Sequence, residues 1–239
     1  DGIRDSVASR GLGDVYKRQT FTSANWDSAQ TVTVTGADDD IIDGTVSSTI
    51  TISINDAASD NNFDGVADQT VTASTTDDDV AGFTIVELEG STEVDESGTT
   101  DTFTVVLDAQ PTSDVVITIV SSDTGEATVT STLTFTPANW DTPQIATITG
   151  IDDDIIDGSQ TSTITVSVDD ASSDNNFDAV ADQTVSVTTL DDDVAGFTVA
   201  ETEGSTAVDE SGTTDTFTVV LNAQPDSNCL LYKSPSPRD

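Results

Sequence analysis

The stretch DTFTVVLDAQPTSDVVITIVSS, Asp101–Ser122, holds two runs dominated by valine, isoleucine, threonine and phenylalanine. TFTVVLD and VVITIVS keep a period of two residues rather than 3.6, which is the mark of half-buried strands. Between them, a cluster with proline, serine and aspartate marks a turn. The pattern continues outward: GFTIVEL (82–88) lies upstream, and TLTFTP (132–137), IATITG (145–150), STITVSV (162–168) and QTVSVTT (183–189) lie downstream. Nothing reads as a helix. Seven short strands in about 110 residues predict an all-β chain built as an immunoglobulin-like, seven-stranded antiparallel β-sandwich.

This unit recurs. Trp26 returns as Trp140, DDDVAGFT at Asp77 returns at Asp191, and ESGTTDTFTVVL at Glu96 returns at Glu210, each after 114 residues. The expected organisation is the last part of one repeat (20–79), a complete repeat (80–193) and the start of a third (194–228). Residues 1–19 and 229–239 differ sharply in composition. They hold all six basic residues, the single cysteine (Cys229) and both tyrosines, Tyr16 and Tyr232. Both ends resemble adapter sequence translated at the edges of assembled environmental reads, and they are set aside from fold reasoning. With no methionine, the sequence reads as a piece of a longer tandem array.

From Thr20 to Asn228 there are 41 acids and no lysine, arginine or histidine. High charge with modest hydrophobicity is also the mark of disorder. Regular strand alternation argues for a folded chain, provided that something neutralises the acids. If successive strands run antiparallel, the loops after the first, third and fifth strands share one pole with the end of the seventh. Glu87, Glu89, Glu93, Asp95, Glu96, Asp101, Asp123 and Glu126 fall there, with Asp152, Asp153, Asp154, Asp157, Asp191, Asp192 and Asp193. The preceding copy repeats the pattern with Asp38, Asp39, Asp40, Asp43, Asp77, Asp78 and Asp79.

Two carboxylates ~4 Å apart repel by roughly 4 kcal/mol at an effective dielectric near 20. Such crowding without lysine or arginine implies a cation. Oxygen-only ligands favour a hard ion, and Ca²⁺ accepts six to eight oxygens in flexible geometry. The two aspartate clusters therefore read as halves of a calcium site at the junction between repeats. The alternative is a solvated acidic surface.

These residues resemble the Calx-β domain, found in sodium–calcium exchangers, an integrin β subunit and large bacterial surface proteins. The opening Phe-x-Val-x-Glu-x-x-Gly of that family is similar to FTIVELEG (Phe83, Ile85, Glu87, Gly90) and FTVAETEG (Phe197, Val199, Glu201, Gly204). Leu133, Phe135 and Pro137 match its central Leu-x-Phe-x-Pro, Asp153 and Asp154 its acidic pair, and Asp191 to Asp193 its closing triplet. The resemblance implies calcium ligands at Glu87, Asp153, Asp154, Asp157 and Asp191 to Asp193, with Asp123 as an addition and Glu201 as the next repeat's Glu87. Two departures stand out: GEATVTST (125–132) replaces the family's Gly-x-Asp-Tyr, and Gln160 replaces a common glutamate. Other immunoglobulin-like bacterial repeats, cadherin-like ones among them, stay open.

DNNFDGVAD (60–68) begins like an EF-hand loop, but Val71 occupies the position of the bidentate glutamate, so an ordinary loop is the better reading. Trp26 and Trp140, at the opposite pole, read as packing residues. Without histidine, cysteine or lysine, the body excludes triads, thiol chemistry and Schiff bases. A two-carboxylate glycosidase fits the chemistry, yet acids repeated in every unit read as scaffold and not as an enzyme. The lack of basic residues argues against nucleic acid, and no apolar run of about 20 residues spans a membrane. The expectation is a calcium-binding structural repeat of a secreted or cell-surface, adhesin-like bacterial protein, with Ca²⁺ rigidifying the inter-repeat junctions. Its partners are calcium ions and neighbouring repeats. The competing expectation is an extracellular module that binds polysaccharide, such as cell-surface or matrix glycans.

Overall fold

The structure is a computed structural model that describes residues 19–233. Most of the segments taken to be adapter-derived lie outside the described residues. The chain is all-β, with strands β1 (Val46–Ile52), β2 (Gln69–Thr75), β3 (Phe83–Glu87), β4 (Thr92–Asp95), β5 (Thr100–Leu107), β6 (Val115–Ser121) and β7 (Ala127–Val129). There follow β8 (Thr132–Phe135), β9 (Gln144–Gly150), β10 (Gln160–Val168), β11 (Gln183–Leu190), β12 (Phe197–Glu201) and β13 (Phe217–Leu221), linked by turns and single 3-10 turns.

Residues 83–190 form an immunoglobulin-like β-sandwich. One sheet runs β3-β5-β9-β7 and the other β4-β11-β10-β6-β8. Period-two alternation turns one face of each strand inward, and Phe103, Val105, Ile117, Phe135, Ile148, Ile164 and Val166 are fully buried there. Phe177, on a 3-10 turn, also enters this core. Burying side chains of this kind stabilises by about 1.5–3 kcal/mol each.

Nine strands form here where alternation indicated seven. The two additions are short, and both bear on the acids. The first expected strand ends at Glu87, and a turn through Gly90 sends the chain across to the second sheet. There β4 pairs in parallel with β11, from Thr92 opposite Val187 to Asp95 opposite Leu190. This is the one parallel pairing between named strands in a sandwich read as antiparallel. β4 also passes close to β9: a Cβ on Gly150 would lie 2.1 Å from the Asp95 carbonyl oxygen. The second addition, β7, pairs with the end of β9 and begins just after Glu126.

Among the described residues, the strands of the flanking regions form two two-stranded sheets, β1 with β2 and β12 with β13. Among the described residues, no helix is long and apolar enough to cross a membrane.

Candidate metal centre

Four chain segments converge at one end of the sandwich: the residues after β4, those before β7, those after β9 and those after β11. The parallel pairing brings the first and last together. It continues past β4, where the Glu96 N–H donates to the Leu190 carbonyl at 3.1 Å. The Ile151 N–H donates to the Glu126 carbonyl at 2.9 Å, joining the other two.

Carboxylates from all four segments meet in two overlapping groups. Glu96, Glu126 and Asp153 place ligand oxygens within 4.8 Å of one another, and so do Glu96, Asp191 and Asp193. Glu96 belongs to both. It is only 1% exposed, and its Oε2 has no hydrogen-bond partner. Glu126 Oε2 and Asp193 Oδ2 are likewise buried and unpartnered. Burial, then the neighbouring Asp153 and Asp191, pushes the Glu96 carboxyl up to about 7, while the Asp192 backbone N–H works the other way. Burial, then Asp157 and Asp123, raises Glu126. Burial, followed by Asp154 and Asp191, raises Asp193. A carboxylate held out of water without a partner costs free energy unless it is protonated or bound to a cation.

The loop itself is shaped by hydrogen bonds. The Gly158 N–H donates to Asp191 Oδ2 at 2.8 Å, and the Asp193 N–H to Asp191 Oδ1 at 2.8 Å. Gly158 has φ +73°, the left-handed region that favours glycine. Asp153 Oδ1 accepts from the Ile155 N–H at 2.6 Å. The preceding copy is built alike: Gly44 N–H donates to Asp77 Oδ2 at 2.6 Å, and Ile41 N–H to Asp39 Oδ1 at 3.1 Å. A shallow pocket there is lined by Asp38, Asp39, Asp43, Asp77, Asp78 and Asp79. Asp78 is exposed at its rim, as Asp192 is in the central unit. Backbone donors on Asp79 and Gly44 lower Asp77, and burial followed by Asp77 raises Asp79.

Of the expected ligands in the central unit, the structure brings Asp153, Asp191 and Asp193 into the two groups. Asp152, Asp154, Asp157 and Asp192 are exposed around them. Asp123 is exposed and accepts from the Gly125 N–H at 2.9 Å. Glu87 accepts from Thr92 Oγ1 at 3.1 Å and belongs to neither group. Glu201, its counterpart, is exposed and accepts from Thr206 Oγ1 at 3.4 Å. Asp40 is exposed, and its carbonyl takes part in a contact with the Gln110 N–H.

Two residues lie outside the expected ligand set although strand parity places them at this pole, Glu96 and Glu126. A signal for Glu96 is in the sequence: Thr92, Val94 and Glu96 fall on one face of an alternating run, and all three are buried. The run is too short to read as a strand. The counterpart of the EF-hand-like stretch in the central unit opens at Asp174, which has another role: it accepts from Thr112 N–H and Oγ1 at 2.6 and 2.7 Å and from Ser113 N–H at 3.0 Å.

No protein-family model matches the chain. No curated protein matches it either. Among solved structures it is similar to the E. coli chaperone DraB, at 10% identity over 48% of this chain and 59% of that one, with a TM-score of 0.35. It is also similar to the apo form of the Calx CBD1 domain, at 19% identity over 46% of this chain and 98% of that one, TM-score 0.34. A third is the surface layer protein SbsC, domains 1–6, at 19% identity over 62% of this chain and 19% of that one, TM-score 0.33. The matches thus span under two thirds of the DraB chain and about a fifth of the SbsC chain.

Proposed function

We propose that residues 80–193 are a calcium-binding structural repeat of a larger secreted or cell-surface protein, serving as a scaffold and not as an enzyme. One observation carries this reading: the Glu96 carboxylate is buried, has an unpartnered oxygen and is shared by two carboxylate groups. With no lysine, arginine or histidine from Gln19 to Tyr232, no side chain there can neutralise it. A hard divalent cation can. Ca²⁺ fits better than Mg²⁺ because adjacent loop carboxylates suit a flexible oxygen shell of six to eight ligands. Glu96, Glu126, Asp153, Asp191 and Asp193 would hold it, with the exposed aspartates around them completing the shell.

An ion so held ties the end of β11 to the loop after β9, at the point where the chain passes into the next unit. It therefore limits bending between consecutive repeats, which is the work of an adhesin-like stalk. Trp140 packs against the core, which supports a scaffold role for it over sugar stacking.

A ligand bound only by the native state stabilises by mass action, about 2.7 kcal/mol at a hundredfold excess over Kd. Calcium should raise the melting temperature of the chain far more than NaCl at matched ionic strength. Equal shifts from the two salts would leave only charge screening. The bending claim is checked by small-angle scattering of a multi-repeat array, which should give an extended rod in calcium and a broader ensemble in chelator. Identical profiles would remove it.

A further inference from the structure

The loop that carries the first aspartate cluster touches the following unit in a specific way. The Gln110 N–H donates to the Asp40 carbonyl at 2.7 Å, and Ile41 forms a parallel β-bridge with Gln110. One residue on, the Asn176 side-chain amide donates to the Ile42 carbonyl at 3.1 Å, and Ile42 packs against the core of the sandwich. The same contact appears 114 residues later: the Gln224 N–H donates to the Asp154 carbonyl at 2.6 Å, and Ile155 bridges Gln224. Recurrence at two junctions argues that the contact belongs to the repeat.

We propose that the Asp-Asp-Asp-Ile-Ile loop is a peg, and that each repeat offers a socket for the peg of the repeat before it. The socket lies between the loop at 108–114 and the turn at 174–178. Asp174 staples its two walls together through its bonds to Thr112 and Ser113. Gln110 is steadied from the other side, where its Nε2 donates to the Pro137 carbonyl at 2.7 Å. The contact uses backbone carbonyls, one amide side chain and an isoleucine, so it reads the shape of the peg and leaves the carboxylates free. An edge-type backbone pairing with an apolar anchor is a common mode of segment recognition. Because the donor and acceptor surfaces differ, the joint is head-to-tail.

The second joint is described only on its Gln224 side. No described residue corresponds to the 174–178 turn in the third unit, and there Ile156 is 43% exposed, whereas Ile42 is half-buried. The peg and the proposed cation share one loop but use different groups of it, the joint its carbonyls and isoleucines and the cation its carboxylates. Chelation would leave the joint pivoting about the peg.

The test is single-residue amide exchange on the full chain in excess EDTA, read at the Gln110 N–H. Ile42→Asp puts a charge where an apolar group packs, and Asn176→Ala removes a donor while keeping the backbone. Each should speed Gln110 exchange at least about tenfold. The Gln224 N–H, at the other joint, should keep its wild-type rate, and the Val166 N–H should report an intact core. Unchanged Gln110 exchange in both variants overturns the joint. Calcium titration of Ile42→Asp is read separately: heats of binding equal to wild type show that ion binding does not depend on a seated peg, and loss of calcium binding overturns that independence. A chain that binds no calcium yet protects Gln110 sinks the cation reading and leaves the joint standing.

Discussion

The twelve residues ESGTTDTFTVVL occur twice, as Glu96–Leu107 and as Glu210–Leu221, and the two copies differ in strand length and in burial. In the first, an eight-residue strand runs from Thr100 to Leu107, and Phe103 is 0% exposed. In the second, the strand shrinks to five residues, Phe217–Leu221, and Phe217 is 52% exposed. Glu96 is buried and Glu210 is exposed. The first copy lies beside β9, and β4, just ahead of it, beside β11. The second has only β12, in a two-stranded ribbon of the sort that is marginal in water. Identical propensity therefore yields a core residue or a surface residue according to which strands cover it.

The largest expected effect separates the two phenylalanines. Phe103→Ala should cost about 3–5 kcal/mol in urea unfolding of the sandwich, and Phe217→Ala should stay within about 0.5 kcal/mol. Comparable losses would break the comparison by showing that the third unit shares the core's cooperativity.

The two glutamates come next. Glu96→Gln should weaken calcium binding about tenfold or more, since even supporting residues around a metal typically cost that much. Glu210→Gln should leave the isotherm unchanged. Equal isotherms for the two variants would remove Glu96 from the ion site.

A smaller effect appears in pH dependence without cations. Burial holds the folded Glu96 carboxyl up at about 7 against an ordinary 4.5. Between those values the folded state holds more protons than the unfolded one, so stability should fall as pH rises through that window, by up to about 1.4 kcal/mol per pH unit. Glu126 and Asp193, also raised, act in the same direction. Asp77 and Asp174 are lowered and act below the window. Denaturant midpoints measured from about pH 5 to about pH 8 in chelator should show this slope, flattened in Glu96→Gln and retained in Glu210→Gln. A flat wild-type profile would mean that Glu96 is solvated.

The same lesson holds upstream. Phe63 and Phe177 are counterparts, 53% and 0% exposed. QTVTVTG at 30–36 matches QIATITG at 144–150, which is β9, yet only the second is a continuous strand. Its partners, β5 and β7, have no counterparts among the described residues before Gln30. Thr206, Val208 and Glu210 repeat the inward spacing of Thr92, Val94 and Glu96, and all three are exposed for want of a neighbour like β11.

What the sequence determined by itself was local: strand alternation, the turns between strands, the absence of any balancing base between residues 19 and 232, and, through strand parity, the end at which the acids of 80–193 gather. Each follows from period-two geometry or from composition, and neither needs a distant residue. The tertiary structure alone decided which carboxylate lies at the centre. Glu96 is buried because a four-residue strand leaves its first sheet and pairs in parallel with β11, nearly a hundred residues on in the chain. That pairing is non-local, and so is the exclusion of water that it brings. A glutamate's burial depends on the strand laid beside it, which twelve identical residues cannot specify.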